Sequence, residues 1–220
     1  MRKVHAIALT LAAAVLFIGT AGAQTFKAGR DYEVLPFPQA THSGNKVEVQ
    51  EFFWYGCPHC YAFEPHLVEW LKHKPADVKF VRTPAVTPRW RIHAITYYAL
   101  QDMGVIGRLH DPFFTAVHEQ EQKTGEGVGP LFEKDGIADW LAGHGVDKNK
   151  FLATWNSFGV QLKVNRAQQM FNDYNLDSVP NLVIDGRYRT SPSLAHGEKR
   201  ALQVVDYLVR KAAAERRHRR

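Results

Sequence analysis

The sequence predicts an α/β fold with an all-helical subdomain inserted into it. Three observations carry this reading. Strand-like runs rich in Val and aromatic residues flank an amphipathic helix early in the chain, at 46–84. Residues 88–165 then show helical patterns with no strand pattern among them. After that stretch the chain returns to strand, Asp-Gly turn, strand and a final amphipathic helix. The boundaries that follow are 24–87 and 166–220 for a discontinuous α/β domain, 88–165 for the inserted helical domain, and 1–23 for a leading segment.

The leading segment reads as a secretory signal peptide. Arg2 and Lys3 supply the basic start, Ala6 to Ile18 an uncharged apolar run, and Ala21-Gly22-Ala23 the small residues of a cleavage site, with cleavage expected after Ala23. The run is shorter than the roughly 20 residues that a spanning helix requires. Export places the protein where disulfides persist.

Taken in order, "DYEVLPF" (31–37) is a short edge strand stopped by Pro36 and Pro38. "KVEVQEFFWY" (46–55) turns apolar on both faces toward its end, as a buried interior strand does, and Gly56 breaks it. Phe63, Leu67, Trp70 and Leu71 then recur at helical spacing, with Pro65 inside the run and expected to bend it. "VKFVRTP" (78–84) is a second core strand. In the insert, "RIHAITYYALQDMG" is a helix stopped by Gly104. "RLHDPFFTAVHEQ" is a helix with Asp111 as N-cap and Pro112 as first residue. "KDGIADWLAGHG" and "DKNKFLATWNS" are shorter helices. Val160, Val164, Ala167, Phe171 and Tyr174 form the stripe of another helix, and "SVPNLVIDGRYRT" carries the signal of a β-hairpin. The last helix, from Gly197 to about Ala214, turns Leu202, Val205, Leu208 and Val209 inward.

The net charge of +6 does not indicate nucleic-acid binding. From Gln24 on it is +4, and 210–220 alone carries +5, so the body is close to neutral. The positive charge is expected to be a solvated, frayed helix end, with weak attraction to anionic lipid as the alternative. Nothing in the sequence calls for an obligate dimer, and a monomer is expected.

The chain has two cysteines, Cys57 and Cys60, both within "EFFWYGCPHCYAFEP". As a staple, a bridge between them would close a loop of about four residues and contribute only about 2 kcal/mol. As a metal site the pair lacks ligands. A closed zinc site takes four, His59 and His66 are the nearby candidates, and His59 lies between the thiols. Reversible redox chemistry fits better. The pair stands at a strand-to-helix junction, where unsatisfied N–H groups and the helix dipole favour a thiolate at Cys57. Pro58 lacks the N–H that the first turn would leave unused. A protonated His59 beside Cys57 would favour the thiolate further. Cys60, one turn on, is expected to be buried and to remain a thiol, leaving Cys57 as the exposed nucleophile or leaving group.

With these motifs in a chain of this order, the sequence resembles the DsbA family of periplasmic thiol:disulfide oxidoreductases. "EFFWYGCPHCYAFEP" and "SVPNLVIDGRY" carry the resemblance, with a helical stretch between them and a signal peptide in front. It implies a thioredoxin-like fold with an inserted helical domain, attack by substrate at Cys57, and a cis-proline loop at Val179-Pro180 packed against the disulfide. It also implies a protein that gives its disulfide to newly exported cysteine-containing proteins and is reoxidised by a quinone-linked membrane partner of the DsbB type. No organic cofactor or metal is implied. Glu51, on the aromatic strand six residues before Cys57, matches the family's buried acid and is expected to carry the proton of Cys60. Trp54 and Tyr55 are expected either to offer apolar surface to unfolded substrates or to be core. No active-site role is assigned to "RTPAVTPRWRIHA" (82–94) or to the other histidines. Two rival readings stay open: a disulfide isomerase or reductase, for which Gln24 to about Gly29 leaves no room for an N-terminal dimerisation domain, and a periplasmic chaperone that works through a groove and not through its thiols.

Overall fold

The computed structural model describes residues 25–218, so the expected signal peptide lies outside the described residues. Within them the fold is a mixed α/β structure whose five-stranded sheet has the order β1-β5-β4-β2-β3. The strands are β1 (Glu33–Val34), β2 (Val47–Phe53), β3 (Val78–Pro84), β4 (Asn181–Ile184) and β5 (Tyr188–Thr190). β2 runs parallel to β3 and antiparallel to β4, so it is paired on both edges. β3 buries Val78, Thr83 and Pro84, as a core strand does. It also forms one sheet edge, where Phe80, Val81 and Arg82 are half-buried.

Alternation along β2 divides its side chains between two layers. Val47 and Val49 pack with α1 (Pro58–His73) and the C-terminal helix, while Phe52 packs on the opposite face with Phe171 and Tyr174 at ring separations of 6.1 and 5.7 Å. Glu51 shares the face of Val47 and Val49 and thus points beneath α1. The α1 stripe of Cys60, Phe63, Glu64 and Leu67 is buried, and the helix runs unbroken from 58 to 73 with Pro65 inside it.

The helical region contains α2 (Arg91–Asp102), α3 (Ile106–Thr124), α4 (Lys134–Gly143), α5 (Lys148–Trp155) and α6 (Phe158–Asp173). Contrary to the expected cap, α3 begins five residues before Asp111, and Pro112 lies inside it. Leu109, Phe113 and Val117 all reach the core from one face of this helix, and their burial outweighs the local cost of the proline. α6 runs through 165/166 without interruption. Val160 and Val164 pack in the helical core and Phe171 on the sheet, so one helix ties the two regions together.

The β4–β5 hairpin turns at Asp185 and Gly186, with φ of 56° and 63°, as a primed turn requires. Gly186 is also pressed against the carbonyl of Gln39, so a side chain would collide there. The final helix, α7 (Glu198–His218), buries Leu202, Val205, Leu208 and Val209. Its basic end is not frayed. Arg216 bonds both carboxylate oxygens of Asp185 and donates to the carbonyls of Gly44 and Lys46 at 3.0 and 2.9 Å, so tertiary contacts hold the helix through residue 218. None of the described helices is long and apolar enough to cross a membrane.

Candidate active site

β2 ends at Phe53, and the chain turns through Trp54, Tyr55 and Gly56 into α1. Gly56 is required by contact, since a Cβ there would sit 2.5 Å from the Trp54 ring. Cys57 is the N-cap of α1, in extended conformation (φ −95°, ψ 114°), and its sulfur accepts the Cys60 N–H at 3.3 Å. Pro58 occupies the first helical position, where it wastes no donor.

The two sulfurs have opposite environments. The Cys57 thiol is held below its usual range, first by the hydrogen bond from the Cys60 thiol and then by the backbone N–H groups of Cys60 and His59. Partial burial and the Glu121 carboxylate oppose this. Cys60 is completely buried, and burial together with its bond to Cys57 pushes its thiol well above the ordinary value. Cys57 is less open than expected. It is 6% exposed because the cis Val179-Pro180 loop lies over it, with the Val179 carbonyl 3.4 Å from the sulfur. His59 is exposed. Its backbone N–H favours the thiolate, whereas its imidazole makes no hydrogen bond to Cys57. Beside the pair a groove of ≈ 510 Å³ is lined by His59, Val179, Pro180, Ser193 and His196.

Trp54 and Tyr55 are core, not groove. Trp54 is 5% exposed and stacks on Trp90 at 5.1 Å. Tyr55 is fully buried among Phe53, Phe113 and Phe114, and its hydroxyl lies 2.8 Å from His110 Nδ1. Both rings belong to the packing between sheet and helices, so neither lines the groove.

Beneath Cys60 is a charged cluster that only partly emerged from the sequence. Glu51 is 1% exposed, and burial pushes its carboxyl up to about 7 against the pull of Arg82. Arg82 donates from Nε to Glu51 at 2.8 Å and from Nη2 to Glu64. The segment 82–94, assigned no part in the site, thus begins with the cation that holds the expected acid. Glu64 and His110 were missed because their neighbours are distant in sequence. A charged residue at a stripe position of α1, four residues after Cys60, was the available signal for Glu64. Glu64, His110 and Asp111 are the described residues with donor atoms close enough together to suggest a metal. Arg82 already occupies Glu64, and the cation disfavours a metal ion there.

A dithiol at a helix N-terminus, with unequal sulfurs and a cis-proline loop against the outer one, defines a thiol:disulfide oxidoreductase of thioredoxin-like fold. No family model matches the chain. It is 41% identical over 205 residues to the thiol:disulfide interchange protein DsbA of Pseudomonas aeruginosa, covering 93% of this chain and 94% of the relative. The DsbA of Azotobacter vinelandii is 36% identical, with coverage of 95% and 97%. The crystal structure of Pseudomonas aeruginosa DsbA superposes with a TM-score of 0.79 at 40% identity, over 87% of this chain and 97% of that one. The oxidoreductase DsbA from Xylella fastidiosa gives 0.76 at 33%, over 86% and 98%. The chain belongs to the DsbA family of thiol:disulfide interchange proteins, and Cys57–Cys60 is its CxxC pair.

Proposed function

We propose that the chain acts as a disulfide oxidase for newly exported proteins in the periplasm. The observation that carries this is the inequality of the two sulfurs. A lowered thiol pKa at Cys57 stabilises the reduced protein, because the oxidised form has no thiol to ionise. The sign follows from linkage. This stabilisation of the folded dithiol form is fully present above the thiol's ordinary pKa and is lost as the pH falls through the lowered one. The disulfide therefore tends to pass to other thiols.

A substrate thiolate attacks Cys57. The Cys57–Cys60 bond breaks, and Cys60 leaves as a thiolate with high proton affinity. Glu51, protonated near neutral pH, supplies that proton and takes it back on reoxidation. The substrate's second thiolate then attacks its own sulfur in the mixed disulfide, and Cys57 departs as a thiolate. Pro58 and the His59 N–H shape the helix start, and the His59 side chain lines the groove where substrate approaches. The substrate lies as an extended segment along the Val179-Pro180 loop. A quinone-linked membrane protein of the DsbB type restores the disulfide. The protein acts as a monomer, after cleavage behind Ala23, and the discontinuous domain 24–87 and 166–220 carries the chemistry while 88–165 covers it.

The test is the double variant Cys57→Ser/Cys60→Ser, assayed for oxidation of a reduced dithiol peptide and for suppression of aggregation of an unfolded protein. Loss of oxidation is expected. Oxidation that persists, or an aggregation-suppressing activity that is the only one measurable in the parent chain, would reject the oxidase reading in favour of a binding module.

A further inference from the structure

Glu51 and Glu64 are held by one guanidinium, and both carboxylates are buried, with side chains 1% and 9% exposed. One arginine cannot neutralise two buried carboxylates at full strength. Such a pair retains a proton near neutral pH, as like charges sharing a site do. Its location matters because Glu51 is the member whose charge bears on the Cys60 thiol.

We infer that His110 is the positioning residue that keeps this proton on Glu51, by holding Glu64 in its ionised form. Its ring is fixed at both ends. Nδ1 lies 2.8 Å from the Tyr55 hydroxyl, and Nε2 faces Glu64 Oε1 at 3.7 Å with no hydrogen-bond partner of its own. The imidazole is 6% exposed, so no bulk solvent competes for that nitrogen. A carboxylate oxygen can only accept, so the neutral ring places its hydrogen on Nε2 and the Tyr55 phenol, kept protonated by burial, donates to Nδ1. That hydrogen points at Glu64. The other groups facing His110 are Arg82 from β3, Asp111 beside it on α3, and Tyr97 from α2, edge-on at 6.1 Å. Burial and Arg82 hold the imidazole below its ordinary pKa, against the opposing pull of Glu64 and Asp111. It therefore presents a dipole and not a charge. The directions agree: Glu64 is lowered, with His110 and Arg82 as the groups that lower it, and the Glu64 charge in turn helps to raise Glu51.

Only the consequence for exchange rests on the proposed role of Glu51 as proton carrier; the location of the proton is measured separately. The experiment is a carboxyl NMR titration of the reduced full chain labelled at Glu Cδ, with signals assigned through Glu51→Gln and Glu64→Gln. In the parent chain Glu51 is expected to titrate near neutrality while Glu64 stays ionised. His110→Phe keeps the ring and removes both nitrogens. It should narrow the gap between them, moving Glu51 down and Glu64 up by about one pH unit each, a tenfold change in each acid dissociation constant. His110→Gln returns an N–H donor and should restore the parent separation. Tyr55→Phe removes the anchor of the ring and should shift both carboxyls in the same direction as His110→Phe, by less; it serves if His110→Phe does not fold. Unmoved Glu51 and Glu64 titrations in these variants would overturn the inference. A narrowed gap with an unchanged peptide-oxidation rate would uphold it and reject Glu51 as the proton carrier.

Discussion

Around Cys57 the polar groups are its own partner thiol, Cys60, and otherwise main-chain: the N–H groups of Cys60 and His59 and the carbonyl of Val179. Beneath Cys60 they are side chains delivered by β2, α1, β3 and α3, with Glu51 and Arg82 separated by 31 residues and Tyr55 and His110 by 55. The outer half needs little more than a helix start and a loop laid over it. The inner half exists only when sheet and helical region have packed. The first tunes which sulfur reacts, and the second tunes where the accompanying proton goes. The two halves should therefore fail separately when mutated.

The largest expected effect separates the sulfurs themselves. Cys60→Ala retains the outer half but removes the resolving partner, so alkylation after reaction with a mixed-disulfide donor should trap substrate covalently at Cys57. A trapped product at the reciprocal variant, Cys57→Ala, and none at Cys60→Ala would reverse the assignment. Next is the inner half. Arg82→Met leaves two buried carboxylates without their cation and should cost about 3–5 kcal/mol in denaturant unfolding above neutral pH. An unchanged midpoint would mean that these acids are solvated and that the cluster is not a unit. The smallest effect lies at the seam between the halves. Gly56→Ala places a Cβ against the Trp54 ring and should cost about 1–3 kcal/mol, with a change in tryptophan emission. Parent-like stability would show that the Trp54–Trp90 stack moves aside freely.

The same division explains what could be read from the chain alone. Cys57, Pro58, His59 and Cys60 are contiguous, and a strand meeting a helix at that point fixes their roles through short-range geometry. The Asp185-Gly186 hairpin and the α7 stripe are legible for the same reason. Glu51 was legible as an acid in an apolar strand, but its partners were not, because a guanidinium on β3 and an imidazole on α3 meet it only through tertiary packing. Trp54 and Tyr55 illustrate the limit differently. Aromatic residues beside an active site have one composition whether they face a groove or a core, and here the helical region covers them. Pro112 was misread as a helix start because Leu109, whose burial extends α3 upstream, draws its stabilisation from contacts far along the chain.

The central claim is that the reduced state is stabilised at Cys57. It is tested most directly by titrating thiolate absorbance at 240 nm in the reduced chain carrying Cys60→Ser, which leaves Cys57 as the titrating thiol and retains a hydroxyl donor at position 60. The structure predicts a Cys57 pKa clearly below the roughly 8.5 of a free cysteine, with the gain in folded stability disappearing as the pH falls through that value. A value at or above roughly 8.5 would contradict the account, since neither the helix start nor the backbone donors would then favour the thiolate.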